Sequence, residues 1–310
     1  MKKLFAALLM LLVMMGASAL ASEETVKFKS LVVDKYAEEI DLGKVVVDPS
    51  EGKKFYEFLA SLPNLKKVDM FATRMNGDRI DKLVARFPDI EFGWTISMNG
   101  YTLRTDMTVF STRHSGDTKN RISSKSASVL RWCKNMLALD LGHNNIDDLS
   151  FLYEMPHLKV LILVDNTFQD ITPIASLKEL EYLEIFYNKV RDISPLAEMH
   201  SLVDLNICYN LITDISPVMN LTGLQRLWMG NYMSRNPSKK VDPAIGEAVQ
   251  AALPNTTVDY WSSSVKGGWR DKGTHYDVIS RIFAKGGEYE PFDDVNHDGE
   301  ADDTDDADRE

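Results

Sequence analysis

The sequence is poor in the residues that usually carry out chemistry. Its 310 residues include two cysteines and six scattered histidines. There is no H-E-x-x-H motif, no G-x-S-x-G motif, no phosphate-binding glycine loop and no paired-cysteine metal spacing. The chain therefore lacks the common sequence signatures of hydrolases and of metal sites, and we predict that it is not an enzyme.

Basic charge is also scarce. The net charge is -11, and the stretch from Asp293 to the C-terminus holds ten acidic residues and one arginine, which leaves the rest of the chain close to balance. A protein that binds nucleic acid or anionic lipid needs a basic stripe to contact the phosphates. We therefore expect no nucleic-acid partner.

A long apolar run occurs once, from Leu4 to Met15. Two lysines precede this run, and Ala19-Leu20-Ala21 follows it. This order is typical of a secretory signal peptide, and the run is shorter than the roughly 20 residues that a membrane-spanning helix needs. We predict a signal peptide over residues 1–21, no membrane span, and a secreted or extracytoplasmic protein.

The centre of the chain repeats with a period of 22 residues. Full rows begin at Met136, Leu158, Leu180 and Leu202, and a fifth row begins at Leu224 before the pattern is lost. Row positions 1, 4, 6, 11, 14, 17 and 20 are apolar in every full row. Position 9 is always asparagine, at Asn144, Asn166, Asn188 and Asn210.

Each row is predicted to contain a strand, a turn and a short helical segment. Positions 4 and 6 alternate as in a strand with one buried face, and positions 14, 17 and 20 have helical spacing. Pairs such as Thr172-Pro173 supply a hydroxyl that can cap a helical turn and a proline suited to its first position. The asparagine side chain can satisfy buried backbone donors and acceptors. One row buries too little to fold alone, so we expect the rows to stack into a parallel sheet.

The pattern L-x-x-L-x-L-x-x-N-x-I resembles the leucine-rich repeats, and the extension x-D-I-S-P-L resembles the internalin-type class of bacterial surface and secreted proteins. The resemblance covers residues 136 to about 232. It implies an α/β fold, a right-handed leucine-rich-repeat solenoid with a parallel β-sheet on its concave face and short helical segments on its convex face. It also implies a module that binds a protein or a glycan.

The flanks of the repeat contain amphipathic helix patterns, each followed by a short strand pattern. We expect an N-terminal α/β cap with degenerate coils over residues 22–135, leucine-rich repeats over 136–235, a C-terminal cap over 236–292 and an acidic tail over 293–310. The C-terminal pattern ends in one more helix. We expect these elements to close the open ends of the solenoid, because an uncovered terminal coil would expose core residues.

Row positions 3, 5 and 7 face away from the coil interior, onto the sheet face that we call the concave face. Exposed aromatic patches usually mark contact sites, and aromatic and charged residues cluster at these positions and at position 8. The predicted ligand-binding residues are Tyr182, Glu184, Phe186, Tyr187, Asp204, Tyr209, Arg226 and Trp228. The alternative is that a flank folds over this face, which would make the aromatic residues interdomain core.

The tail sequence DVNHDGEADDTD, from Asp294 to Asp305, resembles the calcium loop of an EF-hand or a dockerin. The resemblance implies oxygen ligands from Asp294, Asn296, Asp298, Glu300, Asp302 and Asp305. The sequence departs from that family at Ala301, where a bulky apolar residue is usual, and no second loop follows. A disordered acidic tail is the interpretation that we favour, because an acidic run without apolar residues cannot form a core. Calcium is the one cofactor that the sequence suggests.

The two cysteines are predicted to be free thiols. Cys133 aligns with apolar row position 20, and Cys208 stands at position 7, more than three coils later. With strands about 4.8 Å apart, the separation is roughly 15 Å, which exceeds the roughly 7 Å limit for two bridged Cα atoms.

These observations favour a secreted bacterial binding module that recognises a protein or glycan through its concave face. The alternative is a structural or scaffolding component of the extracellular space, assembled through its caps or through a calcium-binding tail. The sequence does not indicate an oligomeric state.

Overall fold

The computed structural model describes residues 24–73, 77–112, 121–236, 238–262, 264–284 and 289–291. The chain divides between Gly93 and Trp94 into an N-terminal unit and a repeat unit. The predicted signal peptide lies outside the described residues and stays a prediction.

The N-terminal unit contains two small sheets and two helices. An antiparallel hairpin is formed by β1 (Thr25–Phe28) and β2 (Leu31–Asp34). A parallel sheet is formed by β3 (Glu39–Asp41), β4 (Lys67–Asp69) and β5 (Glu91–Gly93). The helices are α1 (Gly52–Ala60), which precedes β4, and α2 (Gly77–Arg86), which precedes β5. The predicted order of an amphipathic helix followed by a short strand is therefore confirmed in both places.

The core of the N-terminal unit forms against one face of α1. Phe55, Phe58 and Leu59 are buried at a spacing of three and four residues, which places them on one side of the helix. The ring of Phe28 lies 5.2 Å from that of Phe55 and 5.4 Å from that of Phe58. These contacts fix the hairpin on the helix.

A seven-stranded parallel sheet forms the centre of the repeat unit. The unit starts with a hairpin of β6 (Thr95–Met98) and β7 (Tyr101–Arg104). The parallel strands are β8 (Val109–Ser111), β9 (Ala138–Asp140), β10 (Val160–Ile162), β11 (Tyr182–Glu184), β12 (Asp204–Asn206), β13 (Arg226–Trp228) and β14 (Thr257–Asp259). They neighbour one another in chain order. A one-turn helix, α3 (Ser124–Ala127), lies between β8 and β9 in the chain. The predicted α/β solenoid with a parallel sheet is confirmed.

The register of the sheet follows the 22-residue period. Leu161 pairs with Leu139 on one side and with Leu183 on the other, and Leu205 continues the same column. All four leucines are fully buried. The position-4 residues therefore form one continuous apolar column through the coils.

The sheet extends beyond the predicted repeat boundaries at both ends. Val109 of β8 pairs with Ala138, and Arg226 pairs with Thr257 of β14. These two coils are longer than the 22-residue rows, so the period does not reveal them. Residues from Trp94 onward also belong to the repeat unit, whereas the sequence placed the start of the repeats at Met136.

The helical segments of the rows are 3-10 turns that aspartates cap. They span Ser150–Glu154, Thr172–Ser176, Ser194–Leu196 and Ser216–Asn220. The Asp170 carboxylate accepts a hydrogen bond from the Thr172 amide at 2.8 Å, and Asp192 and Asp214 repeat this contact one and two rows later. The predicted hydroxyl cap is wrong in this detail, because the serine or threonine is already the first residue inside the 3-10 turn.

The asparagine column binds the backbone of neighbouring coils, as predicted. Asn166 donates from Nδ2 to the Leu141 carbonyl of the preceding coil at 2.9 Å. Its Oδ1 accepts a hydrogen bond from the Ile146 amide, also of the preceding coil, at 2.9 Å. Asn210 repeats both contacts, to the Ile185 carbonyl and from the Val190 amide. Asn188 repeats the donation, to the Leu163 carbonyl, but its Oδ1 accepts from the Asn166 amide. Each of these side chains is buried.

A left-handed residue precedes the turn in each coil. Row position 8 has φ values between 50° and 61° at His143, Asp165, Tyr187, Tyr209 and Asn231. Residues with a side chain rarely adopt this conformation. The turn geometry is therefore imposed by the stacking of the coils and not by a glycine.

The C-terminal elements divide into a last coil and a covering segment. The predicted helix and strand are found as α4 (Pro243–Ala252), which Asp242 caps, and β14. The last predicted helix is α5 (His275–Ala284). The sequence predicts that α5 closes an open end, but α5 packs in one cluster with Val109 of β8, Val160 of β10 and Trp228 of β13. It therefore lies over the concave face of the sheet.

Candidate binding face

The predicted ligand-binding residues come together on the concave face. Tyr182 and Glu184 lie on β11, Asp204 on β12, and Arg226 and Trp228 on β13. The aromatic residues that follow these strands in the turns are Phe186, Tyr187 and Tyr209, and they join the same apolar cluster. The predicted clustering is thus found.

The predicted exposure is not found for six of these eight residues, while Tyr187 and Arg226 are partly exposed. Tyr182, Glu184 and Asp204 are 0% exposed, and Phe186, Tyr209 and Trp228 are buried. The cover is a stretch of the C-terminal flank, residues 264–284, which we call the covering segment. Of the two alternatives left by the sequence, the structure has the one in which a flank folds over the face. The binding role of these residues stays a prediction.

An indole and a guanidinium of the covering segment meet the buried carboxylate of Glu184. Trp269 donates from Nε1 to Glu184 Oε1 at 2.7 Å, and Arg270 donates from Nε to the same oxygen at 3.3 Å. Arg270 also forms an ion pair with Oε2, and the Tyr182 hydroxyl donates to Oε1. A buried carboxylate needs such donors, because its desolvation would otherwise be very costly.

The surroundings of Glu184 shift the pKa values of its partners. Burial would lower the pKa of Arg270, but the charge of Glu184 dominates together with nearby phenol groups, and the pKa is raised above its usual value. Burial, reinforced by the charge of Glu184, raises the pKa of Tyr182 well above its usual value. Arg270 is therefore charged and Tyr182 neutral at any ordinary pH.

Asp204 forms a second polar contact with the covering segment. Its Oδ2 accepts from Arg226 Nε at 3.0 Å and lies 2.9 Å from His275 Nδ1. Arg226 in turn donates to the Trp269 carbonyl at 3.0 Å, and its guanidinium lies 4.5 Å from the centroid of the Trp269 ring. Asp204 Oδ1 is buried and has no hydrogen-bond partner among the described residues.

Aromatic and backbone contacts complete the attachment. The Trp269 ring lies 5.6 Å from that of Tyr182 and 5.1 Å from that of Trp228. Trp228 donates from Nε1 to the Lys266 carbonyl at 2.8 Å, and Asn206 donates from Nδ2 to the Ser264 carbonyl at 2.8 Å. Side chains of the face therefore contact both the backbone and the side chains of the covering segment.

The apolar side of α5 covers the first coils. Its buried residues are Tyr276, Val278, Ile279, Ile282 and Phe283. They share a cluster with Ala138, Val160 and Ile162, which stand at concave positions of β9 and β10. Sequence reasoning missed α5 as part of this face. The signal was present, because three apolar residues at outward-facing positions of adjacent strands need a cover.

Asp140 places a third carboxylate on the concave face. Burial raises its pKa above the ordinary value, although hydrogen bonds from the Gly142 amide at 2.9 Å and the Ser111 hydroxyl at 3.1 Å act in the opposite direction. The charges of Glu184 and Arg270 contribute in smaller and opposite amounts. We call the buried residues of the concave face, which include the carboxylates of Asp140, Glu184 and Asp204, the floor of this face. Asp140 is the carboxylate of the floor that the sequence did not single out.

A rim beside the covered face remains partly exposed. The rings of Tyr187 and Tyr209 stack at 4.3 Å, and the exposed Arg235 lies 5.9 Å from the centroid of Tyr187. Further along the rim, Asp165 pairs with His143 at 3.2 Å and with Arg121 at 3.3 Å.

Cysteines and metal ligands do not add a reactive site to the described residues. Cys133 and Cys208 are free and buried, as predicted. Burial raises the pKa of each thiol to about 12. Within the described ranges, no group of three or more histidine, cysteine, aspartate or glutamate residues could hold a metal ion. The predicted calcium ligands from Asp294 to Asp305 lie outside those ranges.

A helix must be long and continuously apolar to cross a bilayer. Across the described part of the chain, none combines the length and the apolar character needed to cross a membrane.

Comparison with known proteins identifies the repeat. The family model for leucine-rich repeats (2 copies) matches residues 156–198. No curated protein matches the chain.

Solved structures of leucine-rich-repeat proteins are similar to this chain. An internalin (inlF) from Listeria monocytogenes is 18% identical with a TM-score of 0.37, covering 64% of this chain and 62% of its own. Internalin C2 from the same species is 21% identical with a TM-score of 0.37, covering 74% and 85%. A leucine-rich-repeat protein of Leptospira interrogans is 18% identical with a TM-score of 0.37, covering 72% and 54%. These values are too low to transfer a ligand to this chain. The family model and the stacked coils together establish that the repeats of this chain are leucine-rich repeats.

Proposed function

We propose that this chain is an extracytoplasmic binding module that recognises a protein through the concave face of its leucine-rich repeats. The observation that carries the proposal is the way in which this face holds residues 264–284. Glu184 accepts from an indole and a guanidinium, and Asn206 and Trp228 bind backbone carbonyls. Such contacts suit a polypeptide, since they combine aromatic anchors, charged pairs and main-chain hydrogen bonds.

A protein ligand is favoured over a glycan for the same reason. The floor of the face is formed by buried aromatic rings and by carboxylates that need cationic donors. An arginine side chain provides a cationic donor and a tryptophan side chain adds a neutral N–H donor, whereas a neutral sugar provides hydroxyl groups without charge. The extracytoplasmic location rests on the N-terminal sequence pattern, and fractionation of expressing cells tests it. The scaffolding alternative rests on the acidic tail and gains no further support.

Binding to immobilised peptide and glycan arrays tests the proposed ligand class. The purified protein is expected to bind a subset of peptides and no glycan. Glu184→Gln should weaken the peptide signal, while Glu179→Gln, which removes an exposed carboxylate paired with His157, should leave it unchanged. Thermal melting of both variants separates lost binding from lost fold. Glycan binding without peptide binding, or no binding at all, would contradict the proposal.

A further inference from the structure

The concave face carries more negative charge than its own residues can neutralise. Asp140, Glu184 and Asp204 are all buried on this face, whereas Arg226 on β13 is the cation that the described strands of this sheet supply. The covering segment adds the Arg270 guanidinium at Glu184, and its His275 ring contacts Asp204. A buried carboxylate without a partner is strongly destabilising. Asp204 is paired with Arg226, and Asp140 accepts from Gly142 and Ser111, so a polypeptide that occupies this face must bring a cationic donor to Glu184.

The covering segment does not use every acceptor that the floor offers. Asp204 is fully buried, and its Oδ1 has no hydrogen-bond partner among the described residues. Both Arg226 and His275 contact the other oxygen, Oδ2. An unpaired buried oxygen costs free energy that an additional N–H donor would recover. The floor can thus bind a polypeptide that is better matched than residues 264–284.

The covering segment contains glycines in a left-handed conformation on both sides of Trp269 and Arg270. Gly267 and Gly268 precede Trp269 with φ values of 74° and 92°, and Gly273 precedes α5 with φ of 81°. Lys272, between the two anchoring parts, is exposed. A segment with such glycine turns can open locally, and the free energy of that opening can be lower than the free energy of unfolding of the whole unit. Release of the covering segment would expose the floor while the strands of the sheet remain paired.

We propose that residues 264–284 are an intramolecular competitor for the concave face, and that the external ligand is an amphipathic helical peptide with an arginine beside an aromatic residue. This inference rests on the proposed function, because it names the partner class and the regulation of the same face. The arginine takes the place of Arg270 at Glu184, the aromatic ring takes the place of Trp269 between Tyr182 and Trp228, and the apolar side of the helix takes the place of α5. Binding is then weakened by the population of the closed form.

The experiment compares an opened variant with a matched control. Trp269→Ala/Arg270→Ala removes the contacts to Glu184 from the covering segment and leaves the floor intact. Lys272→Ala removes one exposed positive charge two residues away. Hydrogen exchange should show faster exchange at residues 275–284 in the opened variant, with β9 to β13 still protected, and no change in the control.

The probe is a synthetic peptide with the sequence of residues 264–284, added to each protein. It should bind the opened variant about tenfold more tightly than the wild type or Lys272→Ala, which corresponds to about 1.4 kcal/mol. The same peptide carrying Trp269→Ala and Arg270→Glu should lose this binding. Equal affinity for all three proteins, or equal binding of the charge-reversed peptide, would overturn the inference.

A measurement on the wild type avoids any dependence on how the variant folds. Excess peptide should displace the covering segment, so hydrogen exchange at residues 275–284 of the protein should become faster. Unchanged exchange at saturating peptide would show a permanent cover and overturn the inference.

The two proposals remain separable. Array peptides that bind the wild type and the opened variant equally would support the proposed function and contradict the competitor. Failure of every array peptide, with the peptide of residues 264–284 still selective, would contradict the proposed function alone.

Discussion

Replacement of Asn188 by alanine tests whether the asparagine column holds the coils together. Asn188 is fully buried, and its Oδ1 accepts from the Asn166 amide at 3.1 Å. Its Nδ2 donates to the carbonyls of Leu163, Ile185 and Phe186 at 2.9, 3.0 and 3.3 Å. One side chain therefore links the backbone of two coils through four hydrogen bonds.

The expected loss follows from counting which groups are left without a partner. Each of the three carbonyls keeps another hydrogen bond, from Asn166 Nδ2, Asn210 Nδ2 or the Asp165 amide. The Asn166 amide has Asn188 as its partner in the described structure and would be left unsatisfied. A buried unsatisfied donor costs about 1–3 kcal/mol, and the lost net hydrogen bonding adds about 1 kcal/mol. We expect Asn188→Ala to lower the free energy of unfolding by about 2–4 kcal/mol.

Urea denaturation followed by circular dichroism measures this loss. Arg191→Ala, an exposed change in the same coil, is the control and should stay within about 0.5 kcal/mol of the wild type. Hydrogen exchange at the Asn166 amide should accelerate in Asn188→Ala and not in the control. If both variants unfolded at the same urea concentration with the Asn166 amide still protected, the column would have no part in joining the coils.

Three further predictions concern buried or strained groups. The folded-state pKa of Asp140 is raised, so stability should fall as pH rises from the ordinary carboxyl pKa through the raised one. Asp140→Asn should therefore melt above the wild type at pH 7, and equal melting temperatures there would contradict this. Cys133 and Cys208, each with a pKa of about 12, should react with a thiol reagent only as fast as the protein opens, and immediate labelling at pH 8 would refute their burial. His143 has φ of 58° and an exposed side chain, so His143→Gly should raise the free energy of unfolding by up to about 1 kcal/mol in urea titrations; a decrease would show that the turn carries no strain.

The sequence predicted the parts of the fold that the 22-residue period controls. The leucines of adjacent rows and the asparagine column make local, repeated contacts, and strands β9 to β13 follow from them. Strands β8 and β14 belong to coils of other lengths, so the period does not place them in the same sheet. The aspartate caps were also missed, although Asp170 and its equivalents stand two residues before each Thr-Pro or Ser-Pro pair.

The candidate site shows where reasoning from one repeat ends. The periodic pattern correctly placed Tyr182 and Trp228 on one face, because their positions depend on neighbouring rows. Whether that face meets water depends on Trp269 and α5, which are far away in the chain and outside any repeat. The apolar residues Val160 and Ile162 at outward positions were the available sign of a cover.

The position of α5 has a consequence for how the repeat unit denatures. In an ordinary stack of coils, each coil touches only the next, so the ends can peel away one coil at a time. Here a helix that follows the last strand, β14, packs against Val109 of the first strand, β8. The segment that follows the last strand of the sheet therefore also packs against the first strand. Melting is therefore expected to be a single steep transition, as in a globular domain, and not a gradual fraying from the termini.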